Sequence, residues 1–392
     1  MAFPLGQRFS NDRRSGVSRI TSRFVARMQA CKPPLRVIPF RDPKFAAVHY
    51  TMVAVRHGLT IEWGVLSAVR NVTFVVLISI AVLFNRPVPA QMSANPPEIG
   101  AAIRKMGPRL NRDIAIATGK LYAPLLAKMP TDGVKVIPDQ AYGPDTRNKL
   151  DVYRPERRRA KRAPIVVFLH GGGFARGDKR RYANLGTYFA RHGVIGMIAN
   201  YRFAPENKWP SGAEDIALVI KWIRKNGAKF GGDARRVFLM GNSAGAVHVA
   251  TYVFFERFHV NNDGVGGAIL VSGSAYELKS KLTPEGKLWH LGERGYFGAD
   301  TSKYDDMSLI RQLPGRKIPL FVVYAELDPP PIQAQNMLLI KGLFKRDKLL
   351  PTIKQVLGHN HISITRHFNT KDQSLGPDIL AFIATHGGRR RR

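Results

Sequence analysis

The sequence contains one cysteine, Cys31, among 392 residues. A single cysteine permits neither an intramolecular disulfide nor a thiolate metal site, so the stability of the fold must come from a buried core. Acidic residues are also scarce, because 28 Asp and Glu stand against 61 Lys and Arg and leave a formal net charge of +33. Hydrophobic residues make up 44% of the chain, which excludes disorder by composition. The charge raises nucleic acid or an anionic membrane as partners only if it clusters on one folded surface.

No apolar run reaches the roughly 20 residues that a membrane-spanning helix needs. The most apolar stretch, Val72–Phe84, follows Arg70 and ends before Pro87-Val88-Pro89-Ala90. A basic flank, a short apolar run and a small-residue cleavage site are the order of parts in a secretory signal. We therefore predict a signal peptide at 52–90, cleaved after Ala90, and export of the mature chain. The alternatives are a membrane anchor formed by 72–84 and a buried core helix.

The apolar run begins far from Met1, whereas signal peptides are normally short. Translation from Met52 would remove this discrepancy. Residues 1–51 are therefore predicted to be a basic extension that is untranslated or disordered. The chain beyond position 90 has the size of one α/β enzyme domain.

The first part of the mature chain, residues 91–133, is predicted as a helical prelude. One helix face is expected to carry apolar residues that recur at helical spacing, namely Ile99, Ile103, Met106, Leu110 and Ile114.

From residue 134 onward, strands and helices alternate, which predicts right-handed βαβ units in a catalytic domain at 134–388. Continuous apolar runs such as Ile165–Leu169 and Val237–Met240 are typical of buried parallel strands. The basic run Arg157–Arg162 is predicted to form a hairpin loop between two strands, and 389–392 a basic tail.

A serine stands at the centre of Gly241-Asn242-Ser243-Ala244-Gly245, between a predicted strand and a predicted helix. In a G-x-S-x-G turn the strained backbone lifts the serine hydroxyl clear of the sheet, and the glycines let the chain pack closely. Ser243 is therefore a predicted nucleophile. A plain glycine-rich turn is the alternative.

A second glycine-rich segment, His170-Gly171-Gly172-Gly173-Phe174, directly follows the strand at 165–169. Consecutive glycines expose backbone N–H groups, and acyl-transfer enzymes need two or three such donors for the tetrahedral oxyanion. The amide after the nucleophile, here that of Ala244, commonly joins them. A phosphate-binding loop would end in Gly-Lys-Ser or Gly-Lys-Thr, and this segment does not.

A nucleophilic serine needs a base, and the base needs a carboxylate that fixes its tautomer. The expected chain order is serine, acid, histidine. Asp328 follows the predicted strand Leu320–Tyr324 and is the predicted acid, with Glu326 as competitor. His361 follows the last predicted strand and is the predicted base, with His359 as competitor. The other histidines, His170, His248 and His290 among them, are interpreted as structural or surface groups.

These segments together resemble the α/β-hydrolase esterase and lipase family, particularly its hormone-sensitive-lipase-like and ferulate-esterase-like branches. The family pattern also includes two further segments, Tyr201-Arg202-Phe203-Ala204-Pro205-Glu206 and Asp151-Val152-Tyr153-Arg154-Pro155. The resemblance implies the α/β-hydrolase fold, with a mostly parallel central sheet, helices on both faces and a small helical cap.

The resemblance also implies roles for individual residues. Ser243 would be the nucleophile, Asp328 the acid and His361 the base, while Gly171, Gly172 and Ala244 would donate to the oxyanion. Asn242 stands where relatives often carry Asp, Glu or His, and Asp328-Pro329-Pro330 stands where Asp-Pro-Leu is usual. Residues 96–129 and 277–313 resemble cap elements, although the aromatic side chains at Trp289 and at 296–297 could equally be core.

The predicted function is hydrolysis of a small-molecule carboxylic ester through an acyl-enzyme, for which no metal or cofactor is required. An amidase or formamidase on the same residues is the alternative, and a catalytically silent binding protein is an alternative of another class. Nucleic acid is not an expected partner of an exported protein. The basic runs at 157–162 and 389–392 are interpreted as solvated, with peripheral association with an anionic membrane surface as a second hypothesis.

Overall fold

The computed structural model describes residues 95–157, 162–288 and 290–387. The predicted basic extension at 1–51, the signal peptide at 52–90 and the tail at 389–392 lie outside the described residues and stay predictions. Most of the basic run at 157–162 and Trp289 also lie outside the described residues. In the described ranges, no helix combines the length and the apolar character needed to cross a bilayer.

The described residues form one eight-stranded sheet in the order β1-β2-β4-β3-β5-β6-β7-β8. Its strands are β1 (Val134–Ala141), β2 (Lys149–Pro155), β3 (Ala163–Leu169), β4 (Ile195–Ala199), β5 (Gly232–Asn242), β6 (Val265–Val271), β7 (Leu320–Leu327) and β8 (Thr352–Asn360).

Helices follow most of these strands along the chain. They are α1 (Pro97–Met106), α2 (Arg112–Ala127), α3 (Ala183–Arg191), α4 (Ser211–Asn226), α5 (Ala244–Phe254), α6 (Leu291–Phe297), α7 (Tyr304–Met307), α8 (Pro330–Asp347), α9 (Ser363–Arg366) and α10 (Gly376–His386).

The sheet is parallel from β4 through β3 to β8, and antiparallel where β2 pairs with β1 and with β4. The predicted α/β-hydrolase fold class is therefore confirmed. The predicted hairpin at 157–162 is wrong, because β4 lies between β2 and β3 in the sheet. The connection leads from one strand to another that is not its hydrogen-bonded neighbour.

The continuous apolar strands are buried because both faces of the sheet are covered. Successive side chains of a strand point to opposite faces, and β3 supplies Val167 and Leu169 to one core cluster and Val166 and Phe168 to the other. All five residues of β4 are buried. This double coverage explains why these strands lack the alternation of apolar and polar residues seen in half-exposed sheets.

The helical prelude consists of two separate helices, α1 and α2, so its apolar residues do not share one continuous helix face. Gly107 has φ 68° and ends α1, and the Asn111 side chain accepts a hydrogen bond from the Ile114 amide at the start of α2. Leu110 lies in the link between the two helices and is 41% exposed, so its predicted place on one helix face with the other four residues is wrong. Ile99, Ile103 and Tyr122 form a separate small core that lies beside the end of β8. The prediction that this region belongs to a cap stays a prediction.

Candidate active site

Ser243 occupies the turn between β5 and α5. Its φ of 55° and ψ of −119° lie in a region that residues other than glycine rarely adopt. The turn is held by the Ser243 amide, which donates to the Val271 carbonyl at 2.8 Å. Only 7% of the residue is exposed. The strained backbone therefore fixes a hydroxyl at the C-terminal edge of the sheet and at the N-terminus of a helix, where negative charge is favoured.

The two glycines that flank this turn are required by close backbone contacts. A Cβ on Gly241 would lie 2.2 Å from the Gly245 carbonyl oxygen, and a Cβ on Gly245 would lie 2.2 Å from that of Leu169. No side chain fits either position. The G-x-S-x-G spacing is thus explained by the packing of the turn on itself and on β3.

A buried carboxylate and a buried imidazole meet at the ends of β7 and β8. Nδ1 of His361 lies 2.7 Å from Oδ1 of Asp328, and the two residues are 3% and 0% exposed. The other carboxylate oxygen accepts hydrogen bonds from the Ser272 hydroxyl at 2.7 Å and from the Ala325 amide at 2.9 Å. Three donors therefore fix the Asp328 carboxylate, so that it can hold His361 in one orientation.

The competing residues are engaged elsewhere. Glu326 accepts a hydrogen bond from the Gly358 amide at 2.5 Å, so its carboxylate braces the turn before the histidines. His359 places Nε2 3.1 Å from Oδ2 of a different carboxylate, Asp372. The geometry thus separates two histidine–aspartate pairs, and the structure places Asp328 with His361.

The glycine-rich segment after β3 lies directly against Ser243. An ideal Cβ on Gly171 would approach the Ser243 Cβ to 3.0 Å, and one on Gly172, with φ 142°, would lie 1.8 Å from the Arg176 carbonyl oxygen. Burial raises the pKa of the Tyr182 hydroxyl, and a hydrogen bond with the backbone of Gly171 opposes that rise. Gly172 therefore cannot carry a side chain, and Gly171 lies next to Ser243.

The segment Tyr201–Glu206 braces this glycine-rich loop. The Tyr201 hydroxyl donates to the His170 carbonyl at 2.9 Å, and their rings stack with centroids 4.5 Å apart. Arg202 forms an ion pair of 2.7 Å with the buried Asp215 and donates its amide to the other oxygen of that carboxylate. The Tyr201 hydroxyl therefore holds the loop that faces Ser243, and the Arg202–Asp215 pair fixes the segment that carries Tyr201.

The remaining histidines differ in environment. His170 and His248 are fully buried, and burial lowers their pKa values to about 4 and about 3. Both side chains are therefore neutral near pH 7 and serve packing. His290 is exposed, and its ring lies against Gly173, where an added Cβ would approach its Cε1 to 2.5 Å. Tyr296 and Phe297 pack on Phe174 in the main core, which decides the open question about these aromatic residues in favour of the core.

Ser272 was not singled out by the sequence, although it bonds the Asp328 carboxylate. It is fully buried, follows β6 directly and has φ 49°. Its position directly after a predicted parallel strand could have indicated this role, because such a residue lies at the same sheet edge as Ser243, Asp328 and His361.

The chain has the α/β-hydrolase fold, and the C-terminal edge of its sheet carries a serine turn, a glycine-rich loop and a histidine–aspartate pair. The family model BD-FAE matches residues 150–263. Esterase LipQ of Mycobacterium tuberculosis (strain ATCC 25618 / H37Rv) is 26% identical over 269 residues, which cover 64% of this chain and 63% of the relative. The probable isoprenylcysteine alpha-carbonyl methylesterase ICME of Oryza sativa subsp. japonica is 30% identical over 165 residues, 42% of this chain and 39% of the relative. The chain thus spans less than two thirds of the length of either relative.

Solved structures give the same fold. Esterase B from Lactobacillus rhamnosis is similar with a TM-score of 0.58 at 19% identity, covering 74% of this chain and 95% of that one. A bacterial heroin esterase has a TM-score of 0.58 at 22% identity, covering 75% and 98%. The chain therefore has the α/β-hydrolase fold, and the proteins it is similar to are esterases, in agreement with the resemblance found in the sequence.

Proposed function

We propose that the protein hydrolyses carboxylic esters through an acyl-enzyme formed on Ser243. The observation that carries this proposal is the buried 2.7 Å contact between His361 and Asp328 at the same sheet edge as the strained Ser243 turn. The names of the similar proteins support the same class of reaction, because they are esterases.

His361 is the proposed base. Its Nδ1 faces Asp328, which leaves Nε2 as the nitrogen that takes the proton from the Ser243 hydroxyl. The serine oxygen then bonds to the ester carbonyl carbon, and the carbonyl electron pair moves onto oxygen. When the carbonyl re-forms, the bond to the leaving alkoxide breaks, and His361 donates its proton to that alkoxide.

Water completes the cycle. His361 accepts a proton from a water molecule while the water oxygen bonds to the acyl carbon. The bond between the acyl carbon and the Ser243 oxygen then breaks, and His361 returns the proton to the Ser243 oxygen. Asp328 remains ionised throughout and stabilises the imidazolium. The products are a carboxylic acid and an alcohol.

Gly171, Gly172 and Ala244 are the proposed oxyanion donors. Ala244 opens α5, so its amide has the dipole of the helix N-terminus behind it. Loss of one such donor typically costs about 3 kcal/mol of barrier.

Ser243→Ala tests the proposal. Turnover of a short-chain p-nitrophenyl ester should fall by at least about ten-thousandfold, while the thermal unfolding midpoint and the circular dichroism spectrum stay close to those of the parent. Ser274→Ala, at another buried serine, is the matched control and should keep its activity. A fall of less than about a hundredfold in the turnover of Ser243→Ala would overturn the assignment.

A panel of esters of increasing acyl length, together with the matching anilides and a formamide, tests the reaction class. Ester hydrolysis should exceed amide hydrolysis for each acyl group. Activity confined to the amides or the formamide would replace the ester hydrolase with the amidase alternative. Absence of turnover on the whole panel would favour the silent binding protein.

A further inference from the structure

A second histidine–aspartate pair lies next to the loop that carries His361. His359, His367 and Asp372 are 0%, 0% and 4% exposed. One ligand atom from each lies within 4.8 Å of the others, and Nε2 of His359 lies 3.1 Å from Oδ2 of Asp372. The cluster joins the end of β8 to the chain between α9 and α10.

His367 adds a polar atom that the protein leaves unpaired. Its Nδ1 faces the Ser363 carbonyl at 3.3 Å, whereas its Nε2 is buried without a hydrogen-bond partner among the described residues. A buried polar atom without a hydrogen-bond partner destabilises the fold. The hydrogen bond between His359 and Asp372 does not relieve this cost, because His367 takes no part in it.

We propose that His359, His367 and Asp372 bind a divalent transition metal ion, with zinc as the best match. Two imidazole nitrogens and one carboxylate oxygen are a common zinc donor set. With bonds of about 2.0–2.1 Å, tetrahedral zinc ligands lie about 3.4 Å apart. The His359–Asp372 distance already fits. A movement of the His367 ring by up to about 1.4 Å would shorten its distances from at most 4.8 Å to about 3.4 Å and complete the set.

The surroundings hold these ligands as a metal site requires. Nδ1 of His359 lies 3.1 Å from the Ser363 hydroxyl, and the other oxygen of Asp372 accepts from the Ser374 amide at 2.9 Å. Such second contacts fix the orientation of metal ligands. The Ser374 hydroxyl and the Asn95 amide group each lie 3.3 Å from Nε2 of His359, so the Ser374 oxygen or a water molecule would supply the fourth ligand.

The role of this metal is structural. Its ligands are buried and Asp372 is not paired with the proposed base, whereas Asn360 and Ser363 lie within the same turn as His361. The ion would link β8 to the chain after α9. It would therefore restrict the motion of the turn that carries His361, which lies between these two segments. It supplies no step of the ester hydrolysis.

Metal titration of the chelator-treated full chain tests the inference without any substrate. Zinc chloride should bind with one site per chain by calorimetry and should raise the thermal unfolding midpoint, and magnesium chloride should do neither. Cobalt(II) should give the visible absorption of a four-coordinate site without a thiolate charge-transfer band, which separates this cluster from any site that uses Cys31. Failure of the folded chain to bind zinc or cobalt would overturn the inference.

Asp372→Asn, which keeps the size of the side chain, should weaken zinc binding by at least about tenfold. His367→Gln should do the same and provides a second variant if the first does not fold. His259→Gln is the matched control, because His259 bonds the Val253 carbonyl elsewhere in the fold, and it should bind zinc like the parent. Equal affinity in all three variants would show that His359 and Asp372 form only a hydrogen-bonded pair.

Discussion

His361 Nδ1 and Asp328 Oδ1 are 2.7 Å apart, although the two residues lie on different strand ends and 33 positions apart in the chain. The contact arises because β7 and β8 are parallel neighbours, so their C-terminal ends open onto one edge. A carboxylate so placed accepts the imidazole N–H and sets which ring nitrogen is free to take a proton.

Asp328→Asn should reduce kcat for ester hydrolysis by about four orders of magnitude, because the amide favours the wrong imidazole tautomer. Glu326→Gln is the matched comparison on the same turn. It should reduce kcat less than about tenfold, since Glu326 only accepts the Gly358 amide. Steady-state kinetics on one p-nitrophenyl ester measures both, and a larger loss in the Glu326 variant would exchange the two roles.

Ser272 is a positioning residue for Asp328. Ser272→Ala removes a 2.7 Å hydrogen bond to the carboxylate and should lower kcat by about tenfold while KM stays nearly constant. Ser274→Ala, two positions further along the same loop, should change neither constant. A rise in KM with unchanged kcat would mean that Ser272 shapes the substrate pocket instead.

The sheet could be predicted because each central strand is one uninterrupted apolar run. The hairpin at 157–162 was mispredicted because nothing local indicates that β4 inserts between β2 and β3. The sequence also placed Ser243, Asp328 and His361 after strands, and a parallel sheet brings such positions to one edge.

The contacts that select among neighbours could not be predicted. Glu326 and Asp328 differ by two positions, and only the turn after β7 decides which one faces His361. The partner of His359 is Asp372, 13 positions further on, in a segment without regular periodicity. The end of α1 at Gly107 likewise depends on a positive φ, which the spacing of the apolar residues does not predict.

The close packing of the serine turn predicts a strong effect of one added methyl group. Gly245→Ala would place a Cβ 2.2 Å from the Leu169 carbonyl oxygen, so it should destabilise the fold by more than about 2 kcal/mol and remove activity. Urea unfolding and ester turnover measure the two effects.

Gly119→Ala is the control for that substitution. Gly119 lies inside α2 with nothing within 4 Å of its added Cβ, so alanine should stabilise the helix by about 0.5–1 kcal/mol. A Gly245 variant as stable and as active as the parent would contradict the packing argument for the G-x-S-x-G turn.

Two buried histidines make stability depend on pH. Burial lowers the pKa of His170 to about 4 and that of His248 to about 3, whereas an unfolded chain titrates its histidines near 6.5. Below about pH 6.5 the two histidines bind protons in the unfolded state but not in the folded state. The free energy of unfolding therefore falls as the pH falls towards the pKa values of the folded protein. Each histidine should cost about 2–3 kcal/mol between about pH 7 and about pH 4.5.

Urea unfolding of the parent and of His248→Gln over this pH range measures the effect. The variant lacks one of the two groups, so its free energy of unfolding should fall less steeply with decreasing pH, whatever its stability at pH 7. His170→Gln removes the other buried histidine and should reduce the steepness in the same way. Equal slopes in the parent and His248→Gln would mean that His248 is protonated in the folded protein, with an acceptor near its Nε2.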